Sequence, residues 1–164
     1  MSKTIKIQKA ILEYLEEKLE DKDLKFFEMF LPKVSGMKKK GENDSNYPFL
    51  LIRPGDTKKN GIYRQRTFEI IIGLEEENDQ VAQERLFDLA EKTIEIIEKN
   101  SVVPGKFAID PGTIDGLFKP EICGGDFWGY TITFNAEIPS VASRILLDRG
   151  NWWRSIFILE MTSN

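Results

Sequence analysis

The segment FWGYTITFNAEI, residues 127–138, is the feature of this chain that most constrains its fold. Apolar residues occupy every second position from Trp128 to Ile138, and most of the positions between them are polar. Because successive side chains of a strand point to opposite faces of a sheet, this alternation predicts a strand with one buried face. A sheet built from such strands needs a second layer to cover its apolar side.

Two segments with helical spacing can supply that layer. Residues 4–20 carry one apolar stripe, and glutamate and lysine fill much of the remaining surface. Residues 78–100 carry a second stripe, with Asn78 or Asp79 in position to cap the helix and Asn100 at its end. Both patterns are typical of amphipathic helices that lie on the surface of a domain.

Three further segments predict strands: residues 24–32, 47–54 and 62–73. The second of them, YPFLLIRP, is followed by GDTKKNG, whose Asn-Gly pair is a strong hairpin signal, so we expect it to end at Arg53-Pro54-Gly55-Asp56. Glycine-rich residues 33–46 predict a loop. The prolines and glycines of residues 101–126 predict a long loop with one or two short extended pieces.

The predicted fold is therefore a two-layer α+β domain. We expect an antiparallel or mixed sheet of about four to five strands, with two amphipathic helices packed on one face. Residues 1–138 form this single domain. Residues 139–164 form a C-terminal apolar tail, as an extra strand, a hairpin or an arm that reaches another subunit.

Composition excludes several classes of function. None of the 164 residues is histidine, which excludes Ser-His-Asp triads, Cys-His pairs and histidine-based metal sites. Cys123 is the only cysteine, so no intramolecular disulfide can form and a reducing compartment is favoured. The formal charge of −4 argues against binding nucleic acid by overall charge. No segment has the pattern of a signal peptide or a membrane span.

Few residues are candidates for chemistry. Arg53 and the turn after it could hold an anion, but glycine and aspartate are ordinary turn residues and no phosphate-binding glycine motif occurs. Cys123 lacks the histidine that usually activates a thiol. Four loop acids could bind a hard metal ion, although their spacing matches no EF-hand: Asp110, Asp115, Glu121 and Asp126. We predict no catalytic residue, no cofactor and no metal, with a carboxylate- or metal-dependent hydrolase as an alternative.

The tail holds more apolar area than water favours, because Trp152, Trp153 and Phe157 lie within a few residues of one another. One interpretation folds the tail back onto its own sheet. The other places it across a second subunit, since aromatic residues are enriched at such contacts. Both interpretations stay open at the level of sequence.

The chain resembles the phage tail terminator family, also called tail-completion or minor tail proteins, of long-tailed phages and phage-like particles. The resemblance rests on YPFLLIRPGD, on RTFEIIIGLEEENDQVAQERLFDLAEKTIEIIEKN and on FWGYTITFNAEI, all behind a first amphipathic helix. It covers residues 4–138. Members of this family begin with a helix, run through three strands, cross a long second helix and return with a late strand.

The resemblance implies a homo-oligomeric ring, typically a hexamer, that caps the head-proximal end of the tail tube and ends its polymerisation. It implies a virion-tail location after assembly in the bacterial cytoplasm, tube, neck or sheath proteins as partners, no membrane, and nucleic acid only in passage through the ring. A head–tail joining or neck protein is the alternative. We expect subunit or tube contacts at the basic hairpin and the tail: Arg53, Lys58, Lys59, Arg64, Arg66, Trp152, Trp153 and Phe157.

Overall fold

The computed structural model describes residues 2–31, 46–60, 63–118 and 127–138. Residues 33–45 of the predicted loop, the hairpin turn at 61–62 and the apolar tail at 139–164 lie outside the described residues. The elements in chain order are α1 (Lys3–Lys18), β1 (Lys25–Glu28), β2 (Phe49–Asn60), β3 (Tyr63–Glu75), α2 (Asp79–Lys99), β4 (Val102–Val103), β5 (Phe107–Phe118) and β6 (Phe127–Ile138).

The six described strands form one mixed sheet in the order β1-β2-β3-β6-β5-β4. β1 runs parallel to β2, and every other neighbouring pair is antiparallel. The predicted α+β class, with two helices and a mixed or antiparallel sheet, is confirmed. The predicted count of four to five strands is too small, because the described part of the chain contains six.

Strands β4 and β5 account for the difference, and β5 is the longer of the two. The proline and glycine content of residues 101–126 predicts a loop, yet Phe107–Phe118 forms a strand of 12 residues. Pro111 and Gly112 lie in a shift of register between Asp110 and Asp115, so the strand loses pairing there without ending. The Thr113 hydroxyl accepts a hydrogen bond from the Asn135 backbone N–H at 2.9 Å, which ties this bulge to β6.

Strand β2 also runs past its predicted end at Arg53-Pro54-Gly55-Asp56. It continues to Asn60 through a bulge between Pro54 and Thr57, where β2 has one residue more than β3. β1 pairs only with residues 49–52, so the outer side of β2 at Pro54 faces no described strand. Proline is tolerated at such an edge position because no ladder hydrogen bond is required of it there.

Both helices pack on the same face of the sheet, as their amphipathic patterns predict. The Ser2 side chain caps α1 by accepting from the Ile5 N–H, and the Asn78 side chain caps α2 by accepting from the N–H groups of Gln80 and Val81. Alternate residues of the central strands form one core with the helices: Leu50, Ile52, Phe68, Ile70, Ile72, Ile132, Phe134, Ile11, Leu15, Leu86 and Ile97. Each such side chain contributes roughly 1.5–3 kcal/mol on burial.

The other face carries a smaller apolar cluster around a glycine. Gly73 pairs with Phe49, and a Cβ atom at Gly73 would lie 2.3 Å from the Phe49 ring, so only glycine leaves room for that ring. The Tyr47 ring packs against the Phe49 ring at 5.2 Å and against the Phe127 ring at 5.2 Å. The cluster therefore fills the hollow above Gly73 with aromatic side chains.

Candidate interface surface

Four of the predicted contact residues lie on the outer part of the β2–β3 hairpin, residues 57–60 and 63–66, which we call the distal hairpin: Lys58, Lys59, Arg64 and Arg66. Thr57, Lys58 and Arg64 are exposed there, whereas Phe68, two residues inward from Arg66, is completely buried. β6 accompanies the distal hairpin to its last described residue, since Ile138 pairs with Arg64. The distal hairpin is therefore the polar extension of a strand pair whose inner part is core.

The basic residues of this hairpin do not share one face. Position 59 pairs with Arg64, and Arg66 lies two residues further along β3, on the face that also carries Phe68. Lys58 pairs with Gln65, and Arg53 pairs with Glu69, both on the opposite face. The five predicted contact residues of the hairpin thus divide between the two sides of the sheet. Lys59 is assigned to its side from its backbone pairing with Arg64.

Arg66 is engaged within the hairpin. Its guanidinium Nη1 donates a hydrogen bond to the Gly55 carbonyl at 3.1 Å, and Gly55 is in the bulge of β2. Its Nε is buried without a hydrogen-bond partner. Because this contact satisfies a carbonyl in the bulge, Arg66 stabilises the irregularity that lets β2 continue beyond Pro54.

Arg53 is also engaged. Its Nε donates to the Glu69 carboxylate directly across the strand pair, and the two side chains form an ion pair. An opposite-charge pair at directly facing positions is a cross-strand contact that favours this register. Arg53 therefore has an intramolecular partner and is a weaker candidate for a subunit contact than the distal residues.

The side chains of Lys58 and Arg64 are exposed. Within the described part of the chain, neither side chain makes a hydrogen bond or an ion pair, unlike those of Arg53 and Arg66. Lys58 and Arg64 lie at neighbouring levels of the distal hairpin, one on each face. Cationic side chains in this state can pair with an acidic partner without first breaking an internal contact. Trp152, Trp153 and Phe157, the other predicted contact residues, lie outside the described residues.

Glu137 is an acidic residue that lies beside the distal hairpin and near a second carboxylate. Glu137 of β6 pairs with Gln65 of β3. Burial, and secondarily the nearby Asp110 carboxylate, raises the pKa of the Glu137 carboxyl.

Within the described residues, no three acidic or cysteine side chains are grouped so that they could hold a metal ion. Glu121, Cys123 and Asp126 lie outside that part.

An open groove of about 560 Å³ separates the end of α1 from the second half of α2. Three of the lysines that line it have acidic partners on their own helices: Lys18 contacts Glu17 at 2.7 Å, Lys92 contacts Asp88 at 2.7 Å and Lys99 contacts Glu95 at 3.1 Å. Such pairs between exposed side chains contribute little to stability. The groove is therefore a solvated helix surface with balanced charge.

Sequence reasoning missed three residues that determine the state of this surface: Glu69, Gly55 and Glu137. The alternation of β3 could have identified Glu69, because it shares a face with Gln65 and points away from Phe68. Gly55 acts through the bulge of β2, and Glu137 acts through the pairing of β6 with β3, two strands that are far apart in sequence. Neither feature has a local signal in the sequence.

Comparison with known protein families finds no family model that matches this chain. Comparison with curated proteins finds no match either. Neither helix in the described part of the chain is both long enough and apolar enough to cross a membrane.

Proposed function

We propose that this protein is a structural virion component that forms a homo-oligomeric ring, with six subunits expected because the hexamer is typical of the family it resembles. The ring caps the head-proximal end of a phage tail tube, ends its polymerisation and joins it to the neck or connector. Its partners are other copies of itself, the tube protein and neck or sheath proteins. It assembles in the bacterial cytoplasm, has no catalytic role and lets nucleic acid pass through.

The order of the elements supports this proposal. α1 precedes the three strands β1, β2 and β3, α2 follows them, and β6 returns to pair with β3. This is the order that the resemblance implies. β4 and β5 are additions that extend the sheet on the far side of β6.

The observation that carries the proposal is the distal hairpin. Its Lys58 and Arg64 side chains are exposed, and it extends a strand pair whose inner residues are completely buried. A ring of more than two identical copies needs two different surfaces on each copy, because its contacts are heterologous. The ring closes when the rotation between neighbouring copies divides a full turn evenly. The exposed polar end of the hairpin supplies one such surface without exposing the core.

Size-exclusion chromatography with light scattering, followed by negative-stain microscopy of the intact chain, tests the proposal. We expect a single oligomeric species that appears as closed rings. A chain that stays monomeric at every concentration would contradict it.

The capping role needs a second experiment with tail tubes polymerised from the tube protein of the same phage. We expect the protein at one end of each tube and tubes that no longer lengthen. Rings that do not bind the tubes but do bind purified head connectors would favour the head–tail joining alternative.

A further inference from the structure

Charge is segregated along the β2–β3 hairpin. Of the six charged residues between positions 53 and 66, five are basic, and all five charged residues between 67 and 79 are acidic. The basic group includes Lys58 and Arg64 in the distal hairpin. The acidic group ends in a run at the close of β3 and the start of α2, which we call the acidic end, residues 75–79.

The acidic end is exposed and lies far from the distal hairpin. Glu75, Glu77 and Asp79 are exposed, and the Glu76 carboxylate accepts a hydrogen bond from the Asn78 N–H. Arg64 and Glu75 are eleven positions apart along β3. At about 3.3 Å a residue, this places them roughly 36 Å apart. Charges at that separation are screened from each other at physiological salt, where the Debye length is about 8 Å.

The two charged ends therefore do not neutralise each other within one copy, but they are complementary between copies. Pairing the distal hairpin of one copy with the acidic end of the next joins two different surfaces, so the contact is heterologous. Complementary potentials of this kind fix orientation and oppose wrong pairings, because like charges would meet in any hairpin-to-hairpin contact. The partner that these charges fit is a second copy of this chain.

We infer that Lys58 and Arg64 of each copy contact the acidic end of the neighbouring copy, around Glu77. This inference rests on the proposed ring and specifies which surfaces meet in it. Arg53 and Arg66 do not take part, because each is engaged by its own hairpin.

Charge reversal at either end tests the contact. Arg64→Glu and Glu77→Lys each place like charges together, and we expect each to raise the dissociation constant of assembly at least about tenfold. Both positions are exposed, so Arg64→Glu should leave urea unfolding of the monomer unchanged. Glu77→Lys places a cation beside the N-terminus of α2 and should cost no more than about 1 kcal/mol. Lys6→Glu, an exposed position on α1 with the same change of charge as Arg64→Glu, is the control and should assemble like the parent.

Mixing the two reversed variants provides the decisive measurement. In an alternating assembly the Arg64→Glu hairpin meets the Glu77→Lys end, and the unchanged Arg64 of one variant meets the unchanged Glu77 of the other. Opposite charges then face each other at every contact, so the mixture should recover the affinity that each variant loses alone. The double variant Arg64→Glu/Glu77→Lys should recover it as well, and raising the salt concentration should weaken assembly of the parent. Two results would overturn this contact and leave the proposed ring intact. In the first, both variants assemble as well as the parent; in the second, the mixture of weakened variants does not recover assembly. A parent that never assembles overturns the ring itself.

Discussion

The inner and outer parts of the β2–β3 hairpin use the same two strands for different purposes. In the inner part, Ile52 and Ile70 face each other and both are completely buried under the helices. In the distal hairpin, Lys58 faces Gln65, and Lys58 and Arg64 are exposed. The backbone pairing is continuous apart from one bulge. The inner part therefore stabilises the fold, whereas the outer part places charged side chains at the surface.

The largest expected effect is in the inner part, at Phe68. Its ring is completely buried and stacks on the Phe134 ring at 6.0 Å. Phe68→Ala should lower the free energy of unfolding by about 3–5 kcal/mol, because it removes apolar contacts and leaves a cavity. Urea unfolding measures this, with Lys58→Ala as the distal control, expected within about 0.5 kcal/mol of the parent. Equal losses of unfolding free energy in Phe68→Ala and Lys58→Ala would show that the inner and outer parts of the hairpin contribute equally to stability.

Gly73, at the inner end of the hairpin, gives the next largest effect. A Cβ atom there would lie 2.3 Å from the Phe49 ring, so Gly73→Ala must displace that ring. We expect a loss of about 1–3 kcal/mol from overpacking. A double-mutant cycle with Phe49→Ala should show that the alanine costs much less once the ring is absent. An unchanged cost would mean that the backbone of Gly73, not the ring, requires glycine.

The boundary between the two parts lies at the bulge, and Arg66 tests it. Arg66→Met keeps the apolar stem of the side chain but removes the hydrogen bond to the Gly55 carbonyl, so it should cost about 0.5–1.5 kcal/mol in unfolding free energy. Arg64→Met, two residues outward, should cost less than about 0.5 kcal/mol. Thermal and urea unfolding of the two variants distinguish them. If Arg66→Met and Arg64→Met were equally stable, Arg66 would not stabilise the bulge and would again be a candidate contact residue.

The smallest effect concerns Glu137, beside the distal hairpin. Burial and the Asp110 carboxylate raise its pKa above 4.5, so the folded chain binds this proton more tightly than the unfolded chain does. Stability therefore falls as the pH rises from 4.5 through the folded pKa, and the penalty is constant above it. Glu137→Gln should raise the melting temperature at pH 7 by a few degrees or less, about the shift that a fraction of a kcal/mol produces.

That gain should shrink as the pH is lowered through the folded pKa and then the ordinary carboxyl range, because Glu137 of the parent becomes protonated in both states. Glu98→Gln, on the exposed face of α2, provides the control and should change the melting temperature little at either pH. A Glu137→Gln gain that stays the same at low pH would show that the cause is packing and not the carboxylate charge.

Much of the fold was predictable because its signals are local. The apolar period of residues 79–99 and the cap at Asn78 predict α2, and the alternation of residues 127–138 predicts β6. β5 was not predictable, because Pro111 and Gly112 are typical of a loop. The bond that keeps this bulge in the sheet joins Thr113 to Asn135, 22 residues away.

The candidate surface was predictable only as a set of charges. The sequence identifies the basic residues around the Asn-Gly turn, but it does not distinguish Arg64 from Arg66, which occupy the same face two residues apart. The distinction depends on the position of the Gly55 carbonyl, 11 residues from Arg66, and hence on the bulge. Arg53 likewise acquires its partner across the strand pair, from Glu69.

The sequence alone determined the class of fold, the order of its helices and main strands, and the exclusion of histidine chemistry, because these follow from local periodicity and composition. Only the tertiary structure decided where β2 ends, that β5 exists, and which basic side chains are engaged. Those properties depend on which strand lies beside which, and neighbours in a sheet can be distant in sequence. A charge that is equivalent in the sequence can therefore be a structural contact at Arg66 and an available surface group at Arg64.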